Sequence, residues 1–337
     1  MNHLMNPLPY KENSILFAPM EGITDAPYRL AIAKEFPQWD HHFSDFLRIP
    51  TNSTYSKEFI IEHFGAEVFN TPNFYQKTTL QILTTPIAQT QSNLKNICEL
   101  GFKSIDLNIG CPSKKVNGSR GGAYLLKDTK ELAQVVSTIR KLYPHCFTVK
   151  IRIGYHDDSN FLESLKVFEN EGVDAVTIHG RTRDQLYKGV ADWNYIGQAV
   201  DYLKIPVIGN GDIWDLADIA AIKAKTNCHS IMIGRGAQKT PWLAKLYKEG
   251  LHHPQDSQQL LATRKQNIIH YFHSLEKEYR QTFPTEEQLL KRFKAFCRYL
   301  FEDFANGQTI KKNILRTKSL IHFKENLYNI DETAYHD

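Results

Sequence analysis

No run of about 18 or more apolar residues occurs in the 337-residue chain, so a membrane-spanning helix is not expected. The opening MNHLMNPLPYKENS is polar and broken by proline, and it lacks the apolar centre of a secretory leader. The five cysteines (Cys98, Cys111, Cys146, Cys228 and Cys297) are widely spaced and form no CxxC pair. That speaks against a zinc site or a disulfide framework and for a reducing, cytoplasmic setting. Internal repeats and low-complexity tracts are missing too. Net charge is only +4, too small to mark the whole chain as a binder of polyanions. The glycine-rich fingerprint that opens a dinucleotide-binding sheet does not follow the first β-rich run, which disfavours a doubly wound sheet.

What is present is the 42% apolar, 23% charged composition of an ordinary globular chain, long enough for a large domain and a smaller one. Short β-rich runs recur at 15–18, 43–47, 80–83, 104–107, 147–153, 175–178, 206–209 and 230–233. Most lack apolar/polar alternation, as strands covered on both faces do. Helical spacing separates several of them, at 129–143 (Leu132, Val135, Val136, Ile139) and at 161–171 (Phe161, Leu165, Phe168). Eight strands alternating with helices predict an α/β fold, a (β/α)8 TIM barrel over residues 1–240. Beyond 241 the strand signal stops. Helical spacing at 270–277 and 288–304, with Leu289, Phe293, Phe296 and Leu300 in one stripe, predicts a smaller α-helical C-terminal domain over 241–337. Between residues 291 and 325 nine Lys/Arg stand against three Asp/Glu, a local excess of +6. A solvated helix face explains this as well as a polyanion-binding surface does.

In such a barrel, function gathers at the C-terminal ends of the strands. Pro19-Met20-Glu21-Gly22 follows the first strand and Asn108-Ile109-Gly110-Cys111-Pro112 the fourth. Lys150 lies within the fifth, and His179 follows the sixth. Asn210-Gly211-Asp212 and Gly234-Arg235-Gly236 follow the last two, where exposed amides before a helix suit a phosphate. Taken singly these signals are weak, because most glycines after a strand only make turns. A lone cysteine is usually a small buried hydrophobe. Cys111, in an exposed turn beside Lys114, Lys115 and Arg120, is a candidate nucleophile or proton donor. Lys150 would point into an apolar barrel, which calls for either a salt bridge or an anionic ligand. His179 alone is as readily a structural hydrogen-bonding residue as a ligand contact.

The segments APMEGITDAPYR, DLNIGCPSKKVNGSRGGAYLLKD, VKIRIG, TIHGRT, IGNGDI and IMIGRGA occur in the order seen in the tRNA-dihydrouridine synthase family, which the chain resembles over most of 15–237. FSDFLR, Tyr187 and KRFKAFCRYL are similar to its bacterial tRNA-dihydrouridine(16) synthase branch. The resemblance implies an FMN at the barrel mouth, recycled by NADPH, and a D-loop uridine of tRNA, at position 16, as the group reduced. It implies Cys111 as the acid that protonates uracil C5, with Asn108 beside the base. Pro19, Met20, Glu21, Gln81, Lys150 and His179 would surround the flavin ring. Asn210, Gly211, Asp212, Gly234 and Arg235 would hold its phosphate. Arg48, Tyr187, Arg292, Lys294, Tyr299 and Arg316 would contact tRNA. No metal or protein partner is implied, and a monomer is expected. Three positions depart from the pattern: Asp45 stands for Glu, LQILTT lacks a glycine, and Arg120 interrupts a glycine run. An FMN barrel acting on a free pyrimidine is the main alternative, and a non-catalytic tRNA-binding barrel the second.

Overall fold

The computed structural model describes residues 5–250, 257–304 and 306–330. The first four residues of the polar opening and residues 251–256, 305 and 331–337 of the C-terminal segment lie outside the described residues. The described residues form nine strands: β1 (Ile15–Phe17), β2 (His41–Phe43), β3 (Leu47–Arg48), β4 (Thr78–Leu83), β5 (Ser104–Ile109), β6 (Cys146–Gly154), β7 (Ala175–Thr182), β8 (Val207–Asn210) and β9 (Ser230–Ile233). All pairings are parallel. β1 joins β9 on one side and β2 on the other, and β2 joins β4, so that β1, β2 and β4–β9 close into an eight-stranded barrel. The short β3 adds to the C-terminal end of β4.

Burial on both faces explains why these strands read as continuous apolar runs: every residue of β4 and β7 is buried. The helices Ala26–Glu35, Thr90–Glu99, Thr129–Leu142, Phe161–Asn170, Asn194–Tyr202 and Leu216–Thr226 cover the outside. Their starts are set by local chemistry. Asp25 accepts from the Tyr28 amide, Asp128 from those of Lys130 and Glu131, and Asp215 from that of Asp218.

Two expected elements differ. The run 43–47 is split: the second stave is His41–Phe43, and the chain leaves the ladder at Ser44–Phe46 before β3. There Ser44 Oγ accepts the Gln81 amide at 3.0 Å, and the Asp45 amide turns to Thr24 O at 3.4 Å. Two adjacent buried histidines hid the true start of this stave. The helix expected over 288–304 spans only Glu286–Phe296, opened by a Thr285/Gln288 capping box and ended where the Cys297 amide bonds Lys294 O. Its stripe of Leu289, Phe293, Phe296 and Leu300 is buried as core.

After β9 the described elements are all helical, and Ser257–Tyr279, Glu286–Phe296, Gly307–Arg316 and Leu320–Tyr328 make up the C-terminal part. Ser257–Tyr279 packs along Ala26–Glu35, with the Tyr28 and Tyr271 rings edge to face and Ser274 Oγ donating to Ala31 O at 3.2 Å. Among the described residues no helix is long and apolar enough to cross a membrane.

Candidate active site

Side chains two apart on a strand share a face. Asp106 and Asn108 on β5, Lys150 and Arg152 on β6, and His179 and Arg181 on β7 therefore place three pairs of polar groups together towards one end of the barrel. Register aligns them: Gln81 stands beside Asp106, Asn108 beside Lys150, and Arg152 beside His179, which in turn neighbours Asn210. Of these, Gln81, Asn108, Lys150, Arg152, His179 and Asn210 floor a cavity of about 840 Å³ at the C-terminal ends of the strands. Pro19, Met20, Glu21, Gln81, Asn108, Cys111, Lys150, His179, Tyr187, Asn210, Gly211, Asp212, Gly234, Arg235 and Tyr299 all line it. A second cavity of about 310 Å³, between Phe272, Phe293 and Phe323 in the C-terminal helices, contains none of the expected residues.

Cys111 is 8% exposed. Its turn is fastened by Asn108, whose Oδ1 accepts the Gly110 and Cys111 amides at 3.1 and 2.9 Å. Burial raises the thiol above its ordinary pKa. The Ser113 backbone and the charges of Arg152 and Arg48 oppose the rise, and Glu21 adds to it. The group is therefore a neutral thiol at pH 7, an acid rather than a ready nucleophile. Asn108 Nδ2 donates to Gln81 Oε1 at 2.9 Å, and Gln81 Nε2 to Asp106 Oδ2 at 2.7 Å, so both amides are engaged below the cavity.

Lys150 makes no hydrogen bond or salt bridge among the described residues. Burial, together with nearby Arg152, lowers its pKa to about 8, against the opposing charge of Asp106. A cation so placed, without a partner and open to a cavity, is a site for an electron-rich ligand. His179 Nε2 lies 3.2 Å from Arg181 Nη1. A guanidinium only donates, so Nε2 accepts and the ring proton resides on Nδ1. Burial and the charges of Arg152, Lys150, Arg181 and Arg235 hold this imidazole well below its usual pKa, and it stays neutral.

Gly211 has φ +114°, and a Cβ there would meet His179 Cδ2 at 2.7 Å and Ala191 Cβ at 2.8 Å. At Gly236 a Cβ would fall 2.0 Å from Ile213 O. These glycines let the last two loops close tightly, and the first amides of the turn Arg235–Lys239 have no intrahelical acceptor. Asp212 pairs with Arg181 and, at 2.6 Å, with Arg235, and it accepts the Ala191 amide at 2.8 Å. Burial alone would raise this carboxyl, but those partners bring it below its ordinary value. The Arg235 guanidinium lies between the rings of Tyr187 and Trp214, at 4.6 and 4.9 Å. Asn210 turns its Nδ2 away to Met232 O at 2.7 Å.

The remaining expected residues scatter. Arg48 Nη2 bonds Ser119 Oγ at 2.7 Å outside the cavity lining, and Arg316 is exposed at the end of its helix. Arg292 and Lys294 are committed internally. Arg292 bonds Asp25 Oδ2 at 2.6 Å, Ile23 O at 3.2 Å, the Tyr279 hydroxyl and Gly22 O, while Lys294 Nζ bonds Thr317 O. Arg292 thus ties the C-terminal helices to the loop after β1, at a position where the resemblance implies a contact to tRNA.

A family profile described as dihydrouridine synthase (Dus) matches residues 16–327. The chain belongs to this family. It is 34% identical over 245 residues to the tRNA-dihydrouridine(16) synthase of Neisseria meningitidis serogroup B, covering 72% of this chain and 73% of that one. With the enzyme of the same name from Haemophilus influenzae it shares 30% identity over 304 residues, 88% and 93% of the two chains. Among solved structures, histamine dehydrogenase from Rhizobium sp. 4-9 shares the fold, with a TM-score of 0.53 at 14% identity; 81% of this chain spans 51% of that one.

At the cavity of this dihydrouridine synthase the structure brings in residues that the sequence signals did not single out. Arg152 donates to Gly110 O (3.1 Å), Thr182 O (2.9 Å) and Leu186 O (2.7 Å), joining the loops after β5 and β7. Trp214 and Arg298 also line the cavity, while Asp106 and Arg181 do not but hold Gln81 and His179, which do. The two-residue periodicity of VKIRIG, HGRT and DLN carried the signal for Arg152, Arg181 and Asp106. Trp214 and Arg298 had none, because a turn and a helix end bring them to the mouth.

Proposed function

We propose that this dihydrouridine synthase reduces a uridine in the tRNA D-loop, the one at position 16, to 5,6-dihydrouridine, with FMN as bound cofactor and NADPH as its reductant. The position follows the names of the relatives. The observation that carries the reading is one cavity joining a neutral, turn-held thiol, Cys111, to a floor whose lysine lacks a partner.

The residues present fit a flavin. The cavity is within the range of small-molecule sites, about 300–1,000 Å³. Lys150 Nζ and His179 Nδ1–H offer donors with no acceptor among the described residues, suited to the carbonyl and nitrogen acceptors of a flavin ring, with Gln81 on the far side of Asn108. Pro19, Met20 and Glu21 form the wall. Gly211, Gly234 and the backbone at Asn210 leave room for a phosphate, with Arg235 as its charged donor and Asp212 holding Arg235 in reach. Bound FMN, once reduced, supplies the hydride for the C5=C6 bond of uracil. Cys111 completes the reduction by giving its proton to C5, and solvent reprotonates the thiolate. Asn108 holds the turn from which Cys111 acts.

A uridine in folded tRNA must leave its stack to reach the floor. Tyr187, 56% exposed, and Tyr299 stand on the rim with guanidiniums against their rings and offer faces for stacking. Residues 1–240 are the catalytic part, and 241–337 recognise tRNA, with Arg48 and Arg316 among the contacts. The protein acts as a cytoplasmic monomer. The deciding experiment maps dihydrouridine in tRNA from cells lacking this gene. Loss at position 16 alone is expected, and an unchanged map would refute the reading. Turnover of free uracil as fast as tRNA by the purified protein would move the substrate to free pyrimidines.

A further inference from the structure

We propose that Asp106 is a positioning residue for Cys111, ending a hydrogen-bond relay through Gln81 and Asn108 that fixes the turn carrying the thiol. The proposal rests on the reading of Cys111 as the proton donor.

The relay has one permitted direction. The Gly110 and Cys111 amides can only donate, so Asn108 must face them with Oδ1, at 3.1 and 2.9 Å. Its Nδ2 then points to Gln81, which must present Oε1, at 2.9 Å. That leaves Gln81 Nε2 as a buried donor, and Asp106 Oδ2 accepts it at 2.7 Å. The other carboxylate oxygen bonds Thr148 Oγ1 at 2.7 Å. Gln81 and Asp106 are both fully buried, so no water can replace a missing partner. Starting from the turn or from the carboxylate gives the same orientation of both amides. Burial raises the Asp106 carboxyl to about 6, while the bonds from Thr148 and Gln81 and the charge of Lys150 oppose the rise. It is therefore an acceptor at neutral pH. Asp106 lies too deep to touch a ligand, since it does not line the cavity.

Replacing the carboxylate by an aliphatic group strands Gln81 Nε2 and removes the anchor at the buried end of the relay, so that the turn alone is left to hold both amides. Asp106→Asn keeps the relay, because its amide oxygen can accept from Gln81 while its nitrogen donates to Thr148 Oγ1. The two variants therefore separate.

The test uses full-length holoenzyme with three readouts: reduction of bound flavin by NADPH, oxidation of the pre-reduced flavin by tRNA, and alkylation of Cys111 by iodoacetamide followed by peptide mapping. Asp106→Leu is expected to keep flavin content and flavin reduction while slowing the tRNA step by roughly ten- to a hundredfold, the cost of misplacing a reacting group by about an ångström. Its Cys111 should alkylate several-fold faster, as the turn loosens. Asp106→Asn should restore all three readouts to near wild type. Gln81→Met cuts the relay at its middle and should also speed alkylation, which keeps the test open if Asp106→Leu does not fold. Unchanged alkylation in both relay-cutting variants overturns the proposal, as does an Asp106→Asn variant as slow with tRNA as Asp106→Leu. Equal loss in both flavin half-reactions overturns it too. A wild-type protein that never transfers hydride to tRNA would sink the proposed function instead, and the alkylation arm would still judge the relay.

Discussion

Cys111 and Arg292 show how differently two residues singled out from sequence behave once their neighbours are known. Cys111 keeps an open side towards the cavity, and its thiol is held protonated by burial. Cys111→Ala should therefore retain flavin and its reduction by NADPH but lose tRNA reduction by roughly 10²–10⁴-fold, the usual contribution of a positioned acid. Stopped-flow measurement of the two half-reactions checks this, and equal loss in both would assign the thiol to the cofactor. Arg292 instead spends its donors on Asp25, Gly22, Ile23 and Tyr279, with its guanidinium over the Phe296 ring at 4.7 Å. Arg292→Ala should lower folding stability by about 2–3 kcal/mol, because partly buried charge-assisted bonds disappear and Asp25 is left without its cation. Denaturant melts at neutral pH measure it. A change under about 0.5 kcal/mol, the size of an ordinary surface substitution, would mean the clamp is dispensable.

At the scale of the element, β2 carries a cost that pH exposes. His41 bonds Thr79 Oγ1 at 2.8 Å through Nε2, and His42 stacks on Phe17 with ring centroids 5.6 Å apart. The Nδ1 of each is buried without a partner among the described residues. Burial, aided by neighbouring cations, lowers both imidazoles from 6.5 to about 3. The folded pKa lies below the unfolded one, so as pH falls the unfolded chain takes up protons first. Stability should be full above about pH 6.5 and fall by about 1.4 kcal/mol per pH unit for each histidine, levelling near pH 3. His42→Phe, which keeps a ring against Phe17, should show a shallower decline between pH 7 and 5. An unchanged slope would place the acid sensitivity elsewhere.

Across the whole molecule, charge rather than packing bears on tRNA binding. The basic excess in 291–325 survives the commitment of Arg292 and Lys294 to internal bonds, because Lys312, Arg316 and Lys318 are exposed. Lys312 and Arg316 are four apart on the helix Gly307–Arg316 and share a face. Near Cys111, residues 112–127 add Lys114, Lys115, Arg120 and Lys127 with no acidic residue. Replacing Lys312 and Arg316 by alanine should reduce the salt dependence of tRNA binding by about 0.7–0.9 in log–log slope for each phosphate left unneutralised. Arg292→Ala should leave that slope as it is. Binding titrations over a salt series decide between them, and identical slopes for the double variant and wild type would take this helix face out of the interface.

The chain's sequence alone determined the barrel, because strands buried on both faces leave contiguous apolar runs and the helices between them leave a 3.6-residue period. It also picked out residues that come to line one cavity, since strand ends in a barrel must converge and the polar and glycine residues there stand out against apolar strands. It did not determine partners. Whether Arg292 meets a phosphate or Asp25, whether Lys150 has a counter-ion, and which acceptor ends the chain of amides under Cys111 all depend on residues far apart in sequence. Arg292 and Asp25 are separated by 267 positions, and Asp106 and Gln81 by 25. A hydrogen bond needs its two atoms within about 3 Å in the right direction. Only closing the barrel and docking the C-terminal helices on the loop after β1 brings such atoms together.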